Sequence, residues 1–157
     1  MKNEYLNIYN NLIKLTRNKK IYLNLRNNDT FSDRLIIFLF HFGFFLKIYK
    51  QDLSKKEAQD LFDFIIRQIE LSIREIGYGD VSVNKKMKDY INLFYSILEN
   101  IEDWNNQDKS GKTDMISSFI NIKDNNDFFT SYFDKYNEFL LKNPLKNFTK
   151  DILELKF

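Results

Sequence analysis

Charged residues crowd around one short turn near the middle of the chain. They flank an aromatic ring, and the group consists of Arg74, Glu75, Tyr78, Asp80 and Lys85. In a structural interpretation, Arg74 pairs with a carboxylate and ties the turn, which contributes little if the pair is exposed. In a recognition interpretation, the charges select a partner and Tyr78 supplies affinity. We predict that part of this group binds a client or partner protein.

Two of the four glycines, Gly77 and Gly79, lie within this turn. Gly77 is predicted to be the residue of positive φ that follows a helix C-terminus, where a Cβ would be strained. Gly79 is predicted to belong to the chain reversal. Asp80 or Ser82 is predicted to cap the next helix with a side-chain oxygen. The segment from the glycines up to Val83 is predicted to be a short extended link. The turn is therefore expected to be structural.

His41 is the single histidine of the chain and lies in its most apolar stretch. A Ser–His–Asp arrangement would need this histidine beside an exposed nucleophile, and a metal site of two or three histidines cannot be built. We predict that His41 packs inside the domain with its polar atoms satisfied. Two functional alternatives stay open: His41 as a haem ligand, or a small helical enzyme that uses His41 or the Arg74–Asp80 turn.

Other catalytic or cofactor-binding patterns are weak. The chain has no cysteine, which excludes disulfides, zinc–thiolate sites and iron–sulfur clusters. Glu57, Asp60 and Asp63 are spaced like a solvated helix face. The SGKT at residues 110–113 lacks the upstream glycine and the preceding strand of a phosphate-binding loop. The sequence therefore predicts a protein that is not an enzyme and has no metal or cofactor.

The charge balance gives little reason to expect nucleic-acid binding. The 157 residues include 24 basic and 22 acidic side chains, for a net charge of +2, so no strong field is expected. A basic group near the N-terminus leaves a ribosome or RNA contact as a third interpretation, and it consists of Arg17, Lys19, Lys20 and Arg26. We predict no specific nucleic-acid partner.

The most apolar stretch, residues 35–46, is 12 residues long, whereas a membrane-spanning helix needs about 20. It is predicted to be a buried core helix, with contact at a membrane surface as the alternative. The N-terminal residues have no apolar run of the length of a signal peptide. We therefore expect a cytoplasmic protein, with peripheral contact at a membrane surface left open.

Hydrophobic periodicity and capping residues predict an all-α fold, a single compact domain of about six or seven helices over residues 1–157. The predicted helices cover about residues 4–17, 30–49, 54–76, 83–104, 114–120 and 145–155, with another that carries residues 129–140 and ends before Pro144. Thr30 and the Ser54–Glu57 pair are the predicted caps of the second and third helices.

Side-chain faces and connections follow from the same periodicity. Leu6, Tyr9 and Ile13 are predicted to face the core from the first helix, with Leu12 as a further candidate. A seam along the fourth helix is predicted to consist of Met87, Ile91, Phe94, Leu98 and Ile101. Residues 22–25 are predicted to form a turn, which the polar residues 27–29 are predicted to break. Residues 105–113 are predicted to form a mobile loop.

Several of these residues resemble the pattern of the ubiquinol-cytochrome c chaperone family, assembly factors for respiratory complex III. The first part of that pattern is matched by Thr16-Arg17, Tyr22, Asp29-Thr30-Phe31, Arg34 and Phe40-His41. The most specific part is matched by residues 73–80, IREIGYGD, followed by Val81-Ser82-Val83, the basic residues 85–88 and Phe94-Tyr95. The likeness covers residues 5–104.

The resemblance implies a non-enzymatic chaperone that binds newly made cytochrome b while haem is acquired and other subunits join. It implies a ribosome and a small partner chaperone as candidate partners, since mitochondrial relatives act beside the ribosome with such a protein. An aromatic-rich helical domain without a catalytic constellation is suited to offering an apolar groove to a helix.

Overall fold

Helices form nearly all of the regular structure in this computed structural model, which describes residues 2–26, 30–150 and 157. Within those residues, the helices of five or more residues are α1 (Lys2–Thr16), α2 (Lys19–Leu23), α3 (Phe31–Tyr49), α4 (Lys55–Glu75), α5 (Asp80–Glu102), α6 (Lys109–Ser117) and α7 (Phe128–Lys142). A four-residue helix, α8 (Leu145–Phe148), follows. The predicted all-α fold is confirmed. The predicted final helix 145–155 is shorter than expected, because α8 ends at Phe148. The predicted break at residues 27–29 and residues 151–155 of that helix fall outside the described residues.

The central element is α3, which is buried nearly all round, as predicted. Its residues 37–45 are all buried, and it packs against α1, α5 and α7. Phe42 stacks on Phe94 of α5 with ring centroids 5.1 Å apart, and Phe44 stacks on Phe133 of α7 at 5.3 Å. None of the described helices is long and apolar enough to cross a membrane.

A glycine brings α3 and α5 close together. A Cβ placed on Gly43 would lie 2.9 Å from Cδ1 of Ile101, closer than carbon atoms normally approach. The helix tolerates the lower propensity of glycine here because its absent side chain makes room for Ile101. This contact fixes how near α5 runs to the core helix.

Two predicted N-caps are confirmed. The Thr30 side chain accepts a hydrogen bond from the Asp33 N–H at 3.1 Å and opens α3. Ser54 and Glu57 form a complete capping box at the start of α4, each side chain accepting from the other's backbone N–H at 3.0 Å. These local signals fix where the two helices begin.

Two predicted connections are wrong. Residues 19–23 form α2, where a turn was predicted around residues 22–25. Residues 109–117 form α6, which begins inside the predicted mobile loop 105–113 and ends before the predicted Ile120. The Asp108 side chain caps α6 by accepting from the Gly111 N–H at 2.7 Å. The Lys112 ammonium donates to Asp134 of α7 at 2.9 Å, so tertiary contacts stabilise this polar helix.

Two predicted faces are partly wrong. The core side of α1 consists of Tyr5, Ile8, Leu12 and Leu15, whereas Leu6 is 44% exposed. Tyr9 and Ile13 are half-buried. On α5, the buried stripe consists of Val83, Met87, Phe94, Ile97 and Ile101. Met87, Phe94 and Ile101 are buried as predicted, whereas Ile91 and Leu98 are only half-buried.

Polar contacts tie the C-terminal segment to α1 and α3. The Asn11 side-chain amide donates to the carbonyls of Phe148 at 2.9 Å and Lys150 at 3.1 Å. The Tyr49 hydroxyl donates to the carbonyl of Asn143 at 2.6 Å. As predicted, α7 ends before Pro144, which serves as the N-cap of α8.

Candidate functional site

The turn between α4 and α5 has the predicted glycine geometry at its first glycine. Gly77 has φ of +107°, and its N–H donates to the Arg74 carbonyl at 2.9 Å, which ends α4. Its prediction as the residue of positive φ is confirmed. Because L-residues rarely adopt this φ, glycine is required here for its backbone alone.

The start of α5 differs from its prediction. Gly79 is the N-cap, with φ of −75° and no side-chain cap hydrogen bond. The predicted caps, Asp80 and Ser82, lie inside the helix, so the predicted extended link up to Val83 is wrong. The Val83 N–H already donates to the Gly79 carbonyl at 2.9 Å. The helix therefore begins at Asp80, and the Asp80 side chain contacts α4 instead of capping α5.

That side chain is Arg74, which joins the two helices. Its Nη1 lies 2.5 Å from Oδ1 of Asp80, and its Nη2 lies 3.9 Å from a carboxylate oxygen of Glu70. The hydrogen bond to Asp80 raises the pKa of Arg74, and the charges of Asp80 and Glu70 add to the shift. The Asp80 side chain is 84% exposed, so the pair orients the turn more than it stabilises it.

Tyr78 has a cationic partner, Lys86, which was not among the residues predicted to form the site. The Lys86 ammonium lies 4.5 Å from the centroid of the Tyr78 ring, a cation–π contact. Lys85 and Glu75 are exposed and make no ion pair within the described residues. The structure therefore joins Arg74 to Asp80 and Tyr78 to Lys86, and it leaves Glu75 and Lys85 as unpaired charges.

Two further apolar side chains, Ile76 and Val81, add to this surface beside Tyr78, and they were not singled out from the sequence. Ile76 is 49% exposed, Tyr78 42% and Val81 86%. Clustered exposed apolar groups with a charged border are typical of interaction sites. We call the side chains of residues 74–81 together with Lys85 and Lys86 the turn surface. Periodicity could not have found Ile76, because it follows Ile69 and Ile73 at helical spacing.

His41 is fully buried, as predicted, and both ring nitrogens are engaged. Nδ1 lies 2.9 Å from the Ile37 carbonyl and Nε2 lies 2.5 Å from the Tyr132 hydroxyl. A carbonyl can only accept, so Nδ1 carries the proton and Tyr132 donates to Nε2. Burial lowers the pKa of His41 to about 3, against a smaller opposing effect of the Ile37 hydrogen bond. The imidazole is therefore neutral and could ligate haem only after losing the Tyr132 hydrogen bond.

The remaining chemical candidates are dispersed over the surface. Glu57 caps α4, and Asp63 accepts from Gln59 at 2.9 Å on an exposed face. In the described part of the chain, no three His, Asp or Glu side chains are grouped closely enough to hold a metal ion. Of the basic N-terminal group, Arg17 and Lys19 line a cavity between helices, whereas Lys20 lines a different one.

Comparison with known proteins identifies one family. The model of the family described as ubiquinol-cytochrome C chaperone matches residues 23–111. The matched range is more than half of the chain and includes α3, α4, the turn surface and α5. No curated protein and no solved structure gives a significant match.

Proposed function

The chain belongs to the ubiquinol-cytochrome C chaperone family, and from this premise we propose that it is a non-enzymatic chaperone that binds newly made cytochrome b. In this role it supports assembly of the ubiquinol-cytochrome c reductase complex, complex III. The proposal places its action in the cytoplasm, at the inner face of an energy-transducing membrane. A ribosome and a small partner chaperone are its proposed additional partners.

The turn surface supports this proposal and is our candidate for the client contact. Its exposed Ile76, Tyr78 and Val81 offer apolar area to a protein client, since an unassembled membrane protein has apolar segments to cover. The unpaired Glu75 and Lys85 lie on the same turn, where rim charges select partners and set association rates. A tight turn needs its glycine, but it does not need three exposed apolar side chains.

The test is recovery of cytochrome b with purified variants. Tyr78→Ala is expected to weaken the complex by about 1 to 2 kcal/mol, because it removes a contact ring and leaves the core intact. Lys85→Glu is expected to slow association and alter its salt dependence. Circular dichroism melts of both variants should match the wild-type melt.

Matched controls lie on α7, outside the family match. Leu141 is 62% exposed and is followed by the exposed Lys142, so Leu141→Ala and Lys142→Glu remove comparable apolar area and charge. These variants should recover cytochrome b as well as wild type. If Tyr78→Ala and Lys85→Glu fold normally and also recover it fully, the client contact lies on another surface.

The interpretation as a haem-handling protein has a direct test. A chaperone that acts only on protein should leave the haem absorbance spectrum unchanged during a titration. A shift of the Soret band that is lost in His41→Gln would favour haem ligation. The buried, doubly hydrogen-bonded His41 leads us to expect no shift.

A further inference from the structure

A cavity of about 410 Å³ lies between the N-terminal helices α1 and α2 and the helices α3 and α4. Its volume falls within the range of about 300–1,000 Å³ that is usual for small-molecule sites. The walls are mainly apolar or aromatic and include Tyr9, Ile13, Phe31, Leu35, Phe38 and Ile69. Leu35, Phe38 and Ile69 are almost fully buried, whereas Phe31 is exposed, so the cavity has an apolar floor and an open mouth.

The charge around this cavity is positive. Arg17 and Lys19 line it, both are exposed, and neither forms an ion pair within the described residues. Arg34 adds a third basic side chain, and the described residues of the lining include no Asp or Glu. Burial raises the pKa of Tyr9, the Ser72 hydrogen bond and the positive charge of Arg17 oppose that rise, and the charge of Glu75 makes a smaller contribution in the same direction as burial. The field of Arg17 therefore reaches the wall that Tyr9 forms.

We propose that this cavity binds a free single-chain amphiphile with an anionic head group, a carboxylate or a phosphate. The guanidinium of Arg17 suits either head group because its planar donors match two oxygens at once. Lys19 adds a second positive charge at the mouth. The apolar chain would extend over Leu35, Phe38 and Ile69, which removes it from water.

The depth of the cavity favours a free molecule over a membrane surface or a protein segment. Leu35 and Phe38 are 7% and 3% exposed, so only a narrow chain that passes the mouth can reach them. A bilayer would touch the exposed rim of the cavity and not its buried floor. The exposed rim residues are Arg17, Lys19, Phe31 and Arg34. The proposal concerns a ligand other than cytochrome b, and its test needs no client.

Calorimetric titration of the purified protein with dodecyl phosphate, below its micelle concentration, tests the proposal. We expect saturable binding of one molecule per chain, and none with inorganic phosphate or the uncharged dodecyl maltoside. The double variant Arg17→Gln/Lys19→Gln is expected to raise the Kd about tenfold. Ser72→Phe, which places a ring in the cavity wall, is expected to reduce binding to a similar extent.

The matched control is Lys14→Gln/Lys20→Gln, which removes the same charge from the same segment without changing this cavity's lining. Its Kd should equal that of wild type. Equal binding of dodecyl maltoside, or equal losses in both double variants, would overturn the proposal. So would an absence of saturable binding, including the case in which the protein binds only vesicles of phosphatidylglycerol through Arg17 and Lys19.

Discussion

Gly77 and Gly79 stand two residues apart, but only the first needs to be glycine for its backbone. Gly77 has φ of +107°, whereas Gly79 has φ of −75°, and a Cβ on either would meet no atom within 4 Å. Neither position is crowded, so a loss of stability on substitution of Gly77 reflects backbone strain.

Gly77→Ala is expected to lower the free energy of unfolding by about 1 kcal/mol, because alanine is strained at this φ. Gly79→Ser should leave it unchanged or raise it, since serine tolerates φ of −75° and can cap α5. Urea denaturation of both variants measures the difference. A Gly77→Ala curve that overlays the wild-type curve would show that the turn relaxes without cost.

His41 gives the molecule a defined acid sensitivity. Its pKa is lowered to about 3 by burial, whereas an unfolded histidine titrates near about 6.5. Between these values the unfolded chain binds a proton that the folded chain does not. The contribution of His41 to the free energy of unfolding is therefore fully present above about pH 6.5. It is lost as the pH falls below that value, by up to about 1.4 kcal/mol per pH unit.

His41→Gln is expected to be less stable than wild type at pH 7, and the difference should shrink towards pH 5. The carboxylates titrate in both proteins, so the comparison isolates His41. Denaturation curves at pH 5, 6 and 7 provide the measurement. Parallel pH profiles would mean that His41 is already solvated or charged in the folded protein.

At the scale of elements, the contact between α3 and α5 depends on the absence of a Cβ at Gly43. Gly43→Ala would place that atom 2.9 Å from Cδ1 of Ile101, and we expect destabilisation of about 1 kcal/mol or more from overpacking. Ile101→Val removes Cδ1 and should cost about 0.5–1.5 kcal/mol by itself.

The double variant Gly43→Ala/Ile101→Val is expected to be more stable than the sum of the two losses predicts, because the valine makes room for the new methyl group. A double-mutant cycle by chemical denaturation measures this coupling. Strict additivity would show that α5 shifts as a whole and that Ile101 does not control the spacing.

Strong local signals predicted the helices that carry them. The capping box at Ser54 and Glu57 fixed the start of α4, and a nearly all-apolar run predicted the burial of α3. The start of α6 was missed because its stabilising contacts, such as Lys112 with Asp134, connect distant parts of the chain. Leu6 was placed in the core because the periodicity of α1 fits two neighbouring faces.

The candidate site was predictable to a similar degree. Positive φ at Gly77 followed from helix-end chemistry, and the pairing of Arg74 with an acidic residue was one of two interpretations. The contact of Tyr78 with Lys86 was missed because it depends on α5 beginning at Asp80. The cavity lined by Arg17 could not be predicted, since three separate segments must fold together to form it.

At the scale of the whole molecule, Asn11 connects α1 to the end of the described chain. Asn11→Ala would leave the buried Phe148 carbonyl without this donor, which should cost about 1–3 kcal/mol. Asn92→Ala is the control, because Asn92 is exposed on α5 and makes no side-chain hydrogen bond within the described residues. Thermal melts should show a lower Tm for Asn11→Ala alone. Equal melts would mean that other contacts hold the C-terminal segment.

The same hydrogen bond has a consequence for protein synthesis. Asn11 and Phe148 are 137 residues apart, and at about 5–20 residues per second the ribosome needs roughly 7 to 27 s to make the chain between them. During that time α1 has been synthesised, but the Phe148 and Lys150 carbonyls that accept from the Asn11 amide have not. Helix α1 is therefore made long before it can complete this part of its packing.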